Sequence, residues 1–498
     1  MKVCLIDAAA VNAKRLSPHW TPLGLAYIAA ILEQRGHEVL IIERDVLLRK
    51  NRLSIDKVDH IMEKRLKLFR PDLIGISSAS ELFPDVVKSA RIAKALFPGI
   101  PVVYGGHHAS AVFAEVLEVC SDIDIVAAGE GEATMLELAN DARYEEIAGI
   151  CFRSGGSLVK NSPRPAIESL DALPMPARHL LDMDFYTRPS PSLIRNVTFK
   201  ATTMLTSRGC PFSCTFCIES LAVGKKHRAH SPSRVVAELD HILSQYNIEA
   251  VYFLDEAFLT DLARVRSLCE MMIKDGYSRR VKWAAQVRVD ALSRDLLKLM
   301  KEAGCIHLEC GFETASDRLL KTVNKKTSLQ KNREIVTLIK SNGIRCLAYI
   351  IAGLPGETEE EFQASVEFIK TSGVDAVAFS RFVPHPGSII YNDLIQKGML
   401  QKRFWEHGGE DYGQMNFSAM SGERARALYN QTLEKVIKPI NIKDRMIHTS
   451  PSQVIKNTSF RELASRVFKS PLSLPRFLFN WITTRLLKTG KAPASTTG

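Results

Sequence analysis

Ser207-Arg208-Gly209-Cys210-Pro211-Phe212-Ser213-Cys214-Thr215-Phe216-Cys217 carries three thiols at Cys-x3-Cys-x2-Cys spacing. A tight loop of this kind brings three sulfurs onto one face while its amides can hydrogen-bond them, so Cys210, Cys214 and Cys217 can ligate three irons of one cubane cluster. Clusters that only carry electrons normally take four thiolates. Three thiolates leave one iron without a protein ligand, and an open metal position is where a substrate or cofactor binds. The spacing therefore points to catalysis. A rival reading of the same residues is a zinc knuckle completed by His227, but the chain has neither a second Cys-x2-Cys pair nor a His-x3-5-His partner.

Outward from this loop, residues Thr202 to about Phe382 alternate strand and helix patterns, with strands expected near Met204, Val251, Trp283, His307, Tyr349 and Ala378. Six such units make a partial (β/α)6 barrel whose first strand leads into the cysteine loop. Active residues of barrels gather at the carboxyl ends of strands. Those ends are Leu254-Asp255-Glu256, Gln286-Val287-Arg288, Gly311-Phe312-Glu313-Thr314, Gly353-Leu354-Pro355-Gly356-Glu357-Thr358 and Pro384-His385-Pro386-Gly387-Ser388.

Residues 2 to 140 alternate in the same way. Short apolar runs at Val3 to Ile6, Val39 to Ile42, Leu73 to Ser77, Val102 to Tyr104 and Ile123 to Ala127 are separated by helical patterns such as Leu23 to Gln34 and Pro84 to Leu96. The pattern predicts an α/β fold with an N-terminal doubly wound parallel sheet, whose ligands bind at the carboxyl ends of its strands. Here those ends are Ser77-Ser78-Ala79-Ser80, Gly105-Gly106-His107-His108 and Gly129-Glu130-Gly131-Glu132. Prolines 163, 165, 174, 176, 189 and 191 mark residues 141–196 as a connector. The expected division is 1–140 for the first domain, 141–196 for the connector, 197–400 for the barrel and 401–498 for a basic, mainly helical C-terminal region.

The cysteine loop, with aromatic Phe216 before its third Cys, resembles the signature of the radical SAM superfamily. The first sheet, with Ser77 after its third strand, Gly105-Gly106 after its fourth and the opening Thr21-Pro22-Leu23-Gly24-Leu25-Ala26-Tyr27, resembles the subfamily with a cobalamin (B12)-binding domain. The resemblance covers about residues 1–400. It implies a 4Fe-4S cluster on Cys210, Cys214 and Cys217, S-adenosylmethionine chelated to the open iron, and one-electron cleavage to a 5'-deoxyadenosyl radical. It further implies that Asp255 and Glu256 hold the methionine ammonium, that Arg288 meets its carboxylate, that Glu313 lies near the ribose and that Gly353 and Gly356 face the adenine. Ser77, Gly105 and Gly106 would line a cobalamin pocket. The chain departs from His-ligated cobalamin domains at Asp-x-His-x2-Gly, because Ala9 stands where the His would be. Cobalamin is therefore expected without a lower ligand from the protein.

The implied activity is functionalisation of an unactivated carbon, foremost cobalamin-dependent C-methylation of a lipid-like or other small-molecule substrate. Oxidative cyclisation and carbon-carbon coupling by the same architecture stay open, as does a non-enzymatic iron-sulfur redox sensor. A methylthiotransferase would need three more clustered N-terminal thiols, and Cys4, Cys120 and Cys151 are scattered. A flavodoxin- or ferredoxin-type electron donor is the expected partner.

Net charge is +11 over 498 residues, and residues 421–498 carry 14 Lys or Arg against 4 Asp or Glu. The body is thus near neutral, which argues against a nucleic-acid groove. In the tail, Leu474, Phe477, Leu478, Trp481, Ile482 and Leu486 fall on one helical stripe flanked by Arg476, Arg485 and Lys488, which predicts peripheral attachment to an anionic membrane. The N-terminus turns polar too early for a secretory signal, and no apolar run reaches membrane-spanning length. A cytoplasmic protein is expected, with possible peripheral contact at the inner face of the membrane.

Overall fold

The structure, a computed structural model, describes residues 1–10, 20–50, 52–408, 412 and 414–448. The apolar tail stripe and its basic flanks lie outside the described residues. Among these residues no helix is long and apolar enough to cross a membrane.

Strands β1 (Lys2–Asp7), β2 (Glu38–Glu43), β3 (Leu73–Ser77), β4 (Val102–Gly105) and β5 (Ile125–Ala127) form a parallel sheet in the order β2-β1-β3-β4-β5. Their centres are continuous apolar runs because helices cover both faces. One face buries Val3, Leu5, Val103 and Ile125, and the other Cys4, Ile6, Ile74 and Tyr104. The order reverses at β1, which has β2 on one side and β3 on the other, so the crevice at that point opens beyond the carboxyl ends.

The expectation of a connector over 141–196 is corrected at its start. β6 (Ile150–Ser154) and β7 (Ser157–Lys160) form an antiparallel hairpin that extends this sheet beyond β5. Its turn is Gly155-Gly156, both at positive φ, the pair a two-residue hairpin demands. The chain beyond then wraps back on the first sheet, where the Ala177 N–H donates to the Ala26 carbonyl at 2.9 Å.

The second sheet is entirely parallel. Strands β8 (Ala201–Met204), β11 (Ala250–Phe253), β12 (Lys282–Val287), β13 (Cys305–Glu313), β14 (Arg345–Ala352) and β15 (Ala376–Arg381) follow one another in sequence order, as a six-unit partial barrel requires. Between β8 and β11 lies a two-stranded ribbon of β9 (Ser207–Arg208) and β10 (Arg228–Ala229). Polar side chains fill the N-terminal end of the barrel. Buried Glu309 accepts hydrogen bonds from Tyr252 and Tyr349, while Arg345 donates to His307 Nδ1 at 3.0 Å and pairs with Asp444 of the C-terminal helix Lys438–His448. This network closes the barrel floor. The chemistry is left to the carboxyl ends.

The C-terminal segment also reaches back to the first sheet. Trp405 is fully buried against Phe83 and His108, with ring centroids 5.1 and 4.8 Å away, and Arg403 pairs with Glu118. His108 is therefore a core residue. Burial pushes its imidazole down to about 3, so it is neutral.

Candidate functional site

The cysteine loop leaves the β9–β10 ribbon at Gly209, whose φ of +89° and lack of side chain let the backbone pass the Lys226 carbonyl. The loop is then fixed from several sides. Cys210 N–H donates to Gly224 O at 3.2 Å, Thr215 N–H to Val323 O at 3.1 Å, Asn324 Nδ2 to Ser213 O at 2.9 Å, and Ile390 N–H to Thr215 O at 3.0 Å. Phe216 packs beside Leu319, Leu354 and Phe382, so it anchors the loop to the barrel. Burial pushes the Cys210 thiol up and that of Cys217 up to about 12. These thiols hold their protons until a metal displaces them.

Among the described residues the three sulfurs do not fall within 4.8 Å of one another, and neither do they gather with His227. Tetrahedral zinc at a Zn–S distance of about 2.3 Å would need sulfurs about 3.8 Å apart. A loop of three half-buried thiols at wider separation fits a multi-iron cluster.

At the other strand ends, the structure sorts the expected residues. Asp255 is buried and accepts from Thr206 N–H, Thr206 Oγ1 and Ser207 Oγ, each at 2.6 Å. Its carboxylate is consumed in holding the turn that leads to the cysteine loop, which corrects its expected place beside an ammonium. Glu256 is different. Its Oε2 is buried without a partner, and burial, then the nearby Glu219 carboxylate, push it up to about 8. Arg288 lies with Nη1 3.6 Å from Cys214 Sγ, its guanidinium stacked 3.6 Å from the Phe212 ring centroid, while Asp290 grips its other nitrogens. Glu313 sits in the left-handed region at φ 65°, at the register shift between β13 and β14, and pairs with buried Lys325 at 2.6 Å.

Gly353 and Gly356 are both at positive φ, but Gly353 N–H goes to Glu357 Oε2 at 2.6 Å and Gly356 N–H to Phe417 O at 2.9 Å. Both donors are taken, so only the open surface of this loop is left to face a planar ligand.

At the edge of the first sheet, Ser77 and Gly105 end neighbouring strands, and Gly106 follows with φ +102°. A Cβ on Gly106 would lie 2.8 Å from Ser77 Oγ, so only glycine keeps this floor low. Ala9 is buried, and its N–H donates to Asp85 at 2.7 Å within a cluster where Arg44 bridges Asp85 and Asp59. It offers no ligand. The Gly129-Glu130-Gly131-Glu132 turn, expected to face a ligand, instead holds the second half of the molecule. Glu130 pairs with Arg208 at 2.8 Å and Arg228 at 2.7 Å, and Glu132 with Arg208 at 2.7 Å, all buried. Arg208 lies two residues before Cys210.

The carboxyl ends of the two sheets thus face each other. His107, next to Gly106, has Nε2 3.1 Å from Oε2 of Glu219, two residues past Cys217, and Glu256 completes a group within 4.8 Å. The hydrogen bond with Glu219 raises His107, and against the effect of burial His107 holds Glu219 low. Sequence reasoning missed His107, Glu219, Lys325 and Arg208 as site residues. Only the position of Glu219 and Arg208 flanking the cysteines marked them in advance.

Residues 10–139 match the B12 binding domain and residues 204–369 the radical SAM superfamily. An uncharacterized methyltransferase of Pyrococcus horikoshii is 33% identical over 388 residues, covering 77% of this chain and 80% of the relative. The anaerobic magnesium-protoporphyrin IX monomethyl ester cyclase of Rubrivivax gelatinosus is 28% identical over 393 residues, covering 77% and 68%. The fold is also that of TsrM from Kitasatospora setae, a radical S-adenosylmethionine methyltransferase solved with cobalamin and a [4Fe-4S] cluster bound. That likeness has a TM-score of 0.70 at 16% identity, over 90% of this chain and 96% of the other.

Proposed function

The chain belongs to the radical SAM superfamily, in the group that carries a B12 binding domain ahead of the barrel, and from that premise we propose that it methylates an unactivated carbon of a small-molecule substrate. It is an enzyme, and its cofactors are a 4Fe-4S cluster, S-adenosylmethionine and cobalamin. Bound together, these supply a 5'-deoxyadenosyl radical to activate the substrate carbon and a methyl group to replace its hydrogen.

The observation that carries the reading is the ion pair between His107 and Glu219, since it ties the Gly105-Gly106 edge to the cysteine loop across one seam. Radical generation and methyl donation need adjacent sites. In this reading Cys210, Cys214 and Cys217 hold three irons as thiolates. Arg288, beside Cys214, receives the carboxylate of S-adenosylmethionine, and unpartnered Glu256 accepts from its ammonium. Glu313, fixed by Lys325, faces the ribose, while the Gly353–Gly356 loop offers a flat surface to the adenine. Ser77, Gly105 and Gly106 would hold cobalamin on a low floor, and Ala9, where a histidine would stand, offers it no ligand. The working units are the first sheet with its hairpin, residues 1–160, the wrapping segment 161–196, the barrel 197–400 and the C-terminal region 401–498.

A second reading, oxidative cyclisation, draws on the likeness to the cyclase of Rubrivivax gelatinosus. Anaerobic turnover with S-adenosylmethionine labelled CD3 separates the two. Methylation yields a CD3 product with equal amounts of 5'-deoxyadenosine and S-adenosylhomocysteine; cyclisation yields 5'-deoxyadenosine with neither label transfer nor S-adenosylhomocysteine. Failure to form 5'-deoxyadenosine under strong reduction would sink both.

A further inference from the structure

Beside the cysteine loop lies an open depression of about 520 Å³ lined by Lys321, Asn324, Lys325, Lys326, Ser328 and Lys331 among others. Its floor is continuous with the cluster site. Asn324 donates to Ser213 at 2.9 Å and Val323 accepts from Thr215 at 3.1 Å, while Lys325 turns inward to pair with Glu313 at 2.6 Å. Across the loop, the Gly224 carbonyl holds the Cys210 amide, and Lys225 and Lys226 follow it into solvent. Lys225, Lys226, Lys321, Lys326 and Lys331 are all exposed, and among the described residues none forms an ion pair. Between 317 and 331 the chain carries five cations and one anion, Asp317, whose carboxylate accepts from Leu329 N–H.

Like charges gather on both banks of the cysteine loop without an acidic partner, and a patch of one sign steers an acidic protein toward it. No aromatic side chain lines the depression, so the base-stacking platform of a nucleic-acid site is missing.

We propose that this lysine rim docks an acidic one-electron carrier protein over the cysteine loop. The proposal rests on the radical SAM reading, and it specifies where the electron enters. The reduced carrier loses one electron and the cluster on Cys210, Cys214 and Cys217 gains one, with no atom or proton exchanged.

The test uses the full-length holoenzyme and two reductants, flavodoxin hydroquinone and dithionite, with 5'-deoxyadenosine as the readout. In the triple variant K321E/K326E/K331E the flavodoxin-driven rate is expected to fall about tenfold or more at low salt, while the dithionite-driven rate stays within about twofold. Salt should slow the wild type with flavodoxin and leave the variant flat. K225E/K226E, on the other bank, is expected to fall in the same direction. An unchanged flavodoxin rate in the triple variant overturns the proposal. So does an equal loss with both reductants, because the lysines would then act on the cluster and not on the carrier. If the wild type makes no 5'-deoxyadenosine with dithionite, the functional reading fails instead. Docking is then still decided by quenching of flavin fluorescence, expected in the wild type and lost in the triple variant.

Discussion

The helices of the two sheets begin differently. In the barrel, Ser231, Asp261, Ser293, Ser316, Ser328, Thr358 and Ser388 each accept a backbone N–H of the helix they start, and Thr358 with Glu361 completes a capping box. In the first sheet, the helices starting at Leu23, Ile55, Phe83, His107 and Gly131 have no side-chain cap. Barrel turns are fixed by their own residues, which leaves their neighbours free to carry chemistry. First-sheet turns are fixed from a distance, by Trp405, by the Arg44 cluster and by the grip of Glu130 and Glu132 on Arg208. One half is assembled locally and the other by long-range contacts.

The largest test asks whether the halves fail separately. Cys214→Ala should abolish both 5'-deoxyadenosine and product, whereas Gly106→Val, which drives a side chain into Ser77, should lose bound cobalamin and product yet keep forming 5'-deoxyadenosine. Chromatography of both nucleosides with the absorbance of bound corrinoid decides it; loss of 5'-deoxyadenosine in Gly106→Val would mean the two edges act as one unit.

Next come the distant ties. Arg208→Ala leaves buried Glu132 unpaired, with Glu130 still held by Arg228, and should cost about 3–5 kcal/mol. Trp405→Ala opens a cavity under the first sheet at a comparable cost of about 3–5 kcal/mol. Denaturant unfolding followed by hydrogen exchange of β1 to β5 should show both losses in the first sheet, although neither residue belongs to it.

The seam between the halves carries a pH dependence. Glu256 has an ordinary value of 4.5 and is pushed up to about 8 in the fold. The folded form therefore prefers the protonated acid, so this contribution to stability is complete below about pH 4.5 and is lost as pH rises through about 8. Glu256→Gln should flatten the apoprotein's stability over that window, measured as midpoint against pH.

The smallest effect addresses the caps. Thr358→Ala should lower stability by about 1 kcal/mol, while Ser54→Ala, whose hydroxyl makes no capping bond, should stay within a few tenths of a kcal/mol.

The same contrast explains what was legible in the sequence. β3 at Leu73–Ser77 and the helix Leu23–Gln34 were readable to the residue, and all six barrel strands were placed, because apolar periodicity is a local signal. The β6–β7 hairpin was missed, although Gly155-Gly156 between two short apolar runs was its mark; the prolines downstream dominated the reading. The hydrogen bonds that engage Asp255 and Gly356 were not legible for another reason. Whether a carboxylate or amide is free depends on partners such as Thr206 and Phe417, many residues away. Glu130, Glu132 and Arg208 pair across more than seventy residues, and such a pairing leaves no periodic trace.

The grip on Arg208 also sets an order of construction. At a synthesis rate of about 5–20 residues per second, Glu130 and Glu132 are made several seconds before the cysteines, long enough for a parallel sheet to close around them. The thiol loop then emerges after the two glutamates that grip the arginine two residues ahead of Cys210. Metal delivery therefore meets a seated loop and not a loose coil. Reversing the two halves along the chain would keep every contact and lose this timetable.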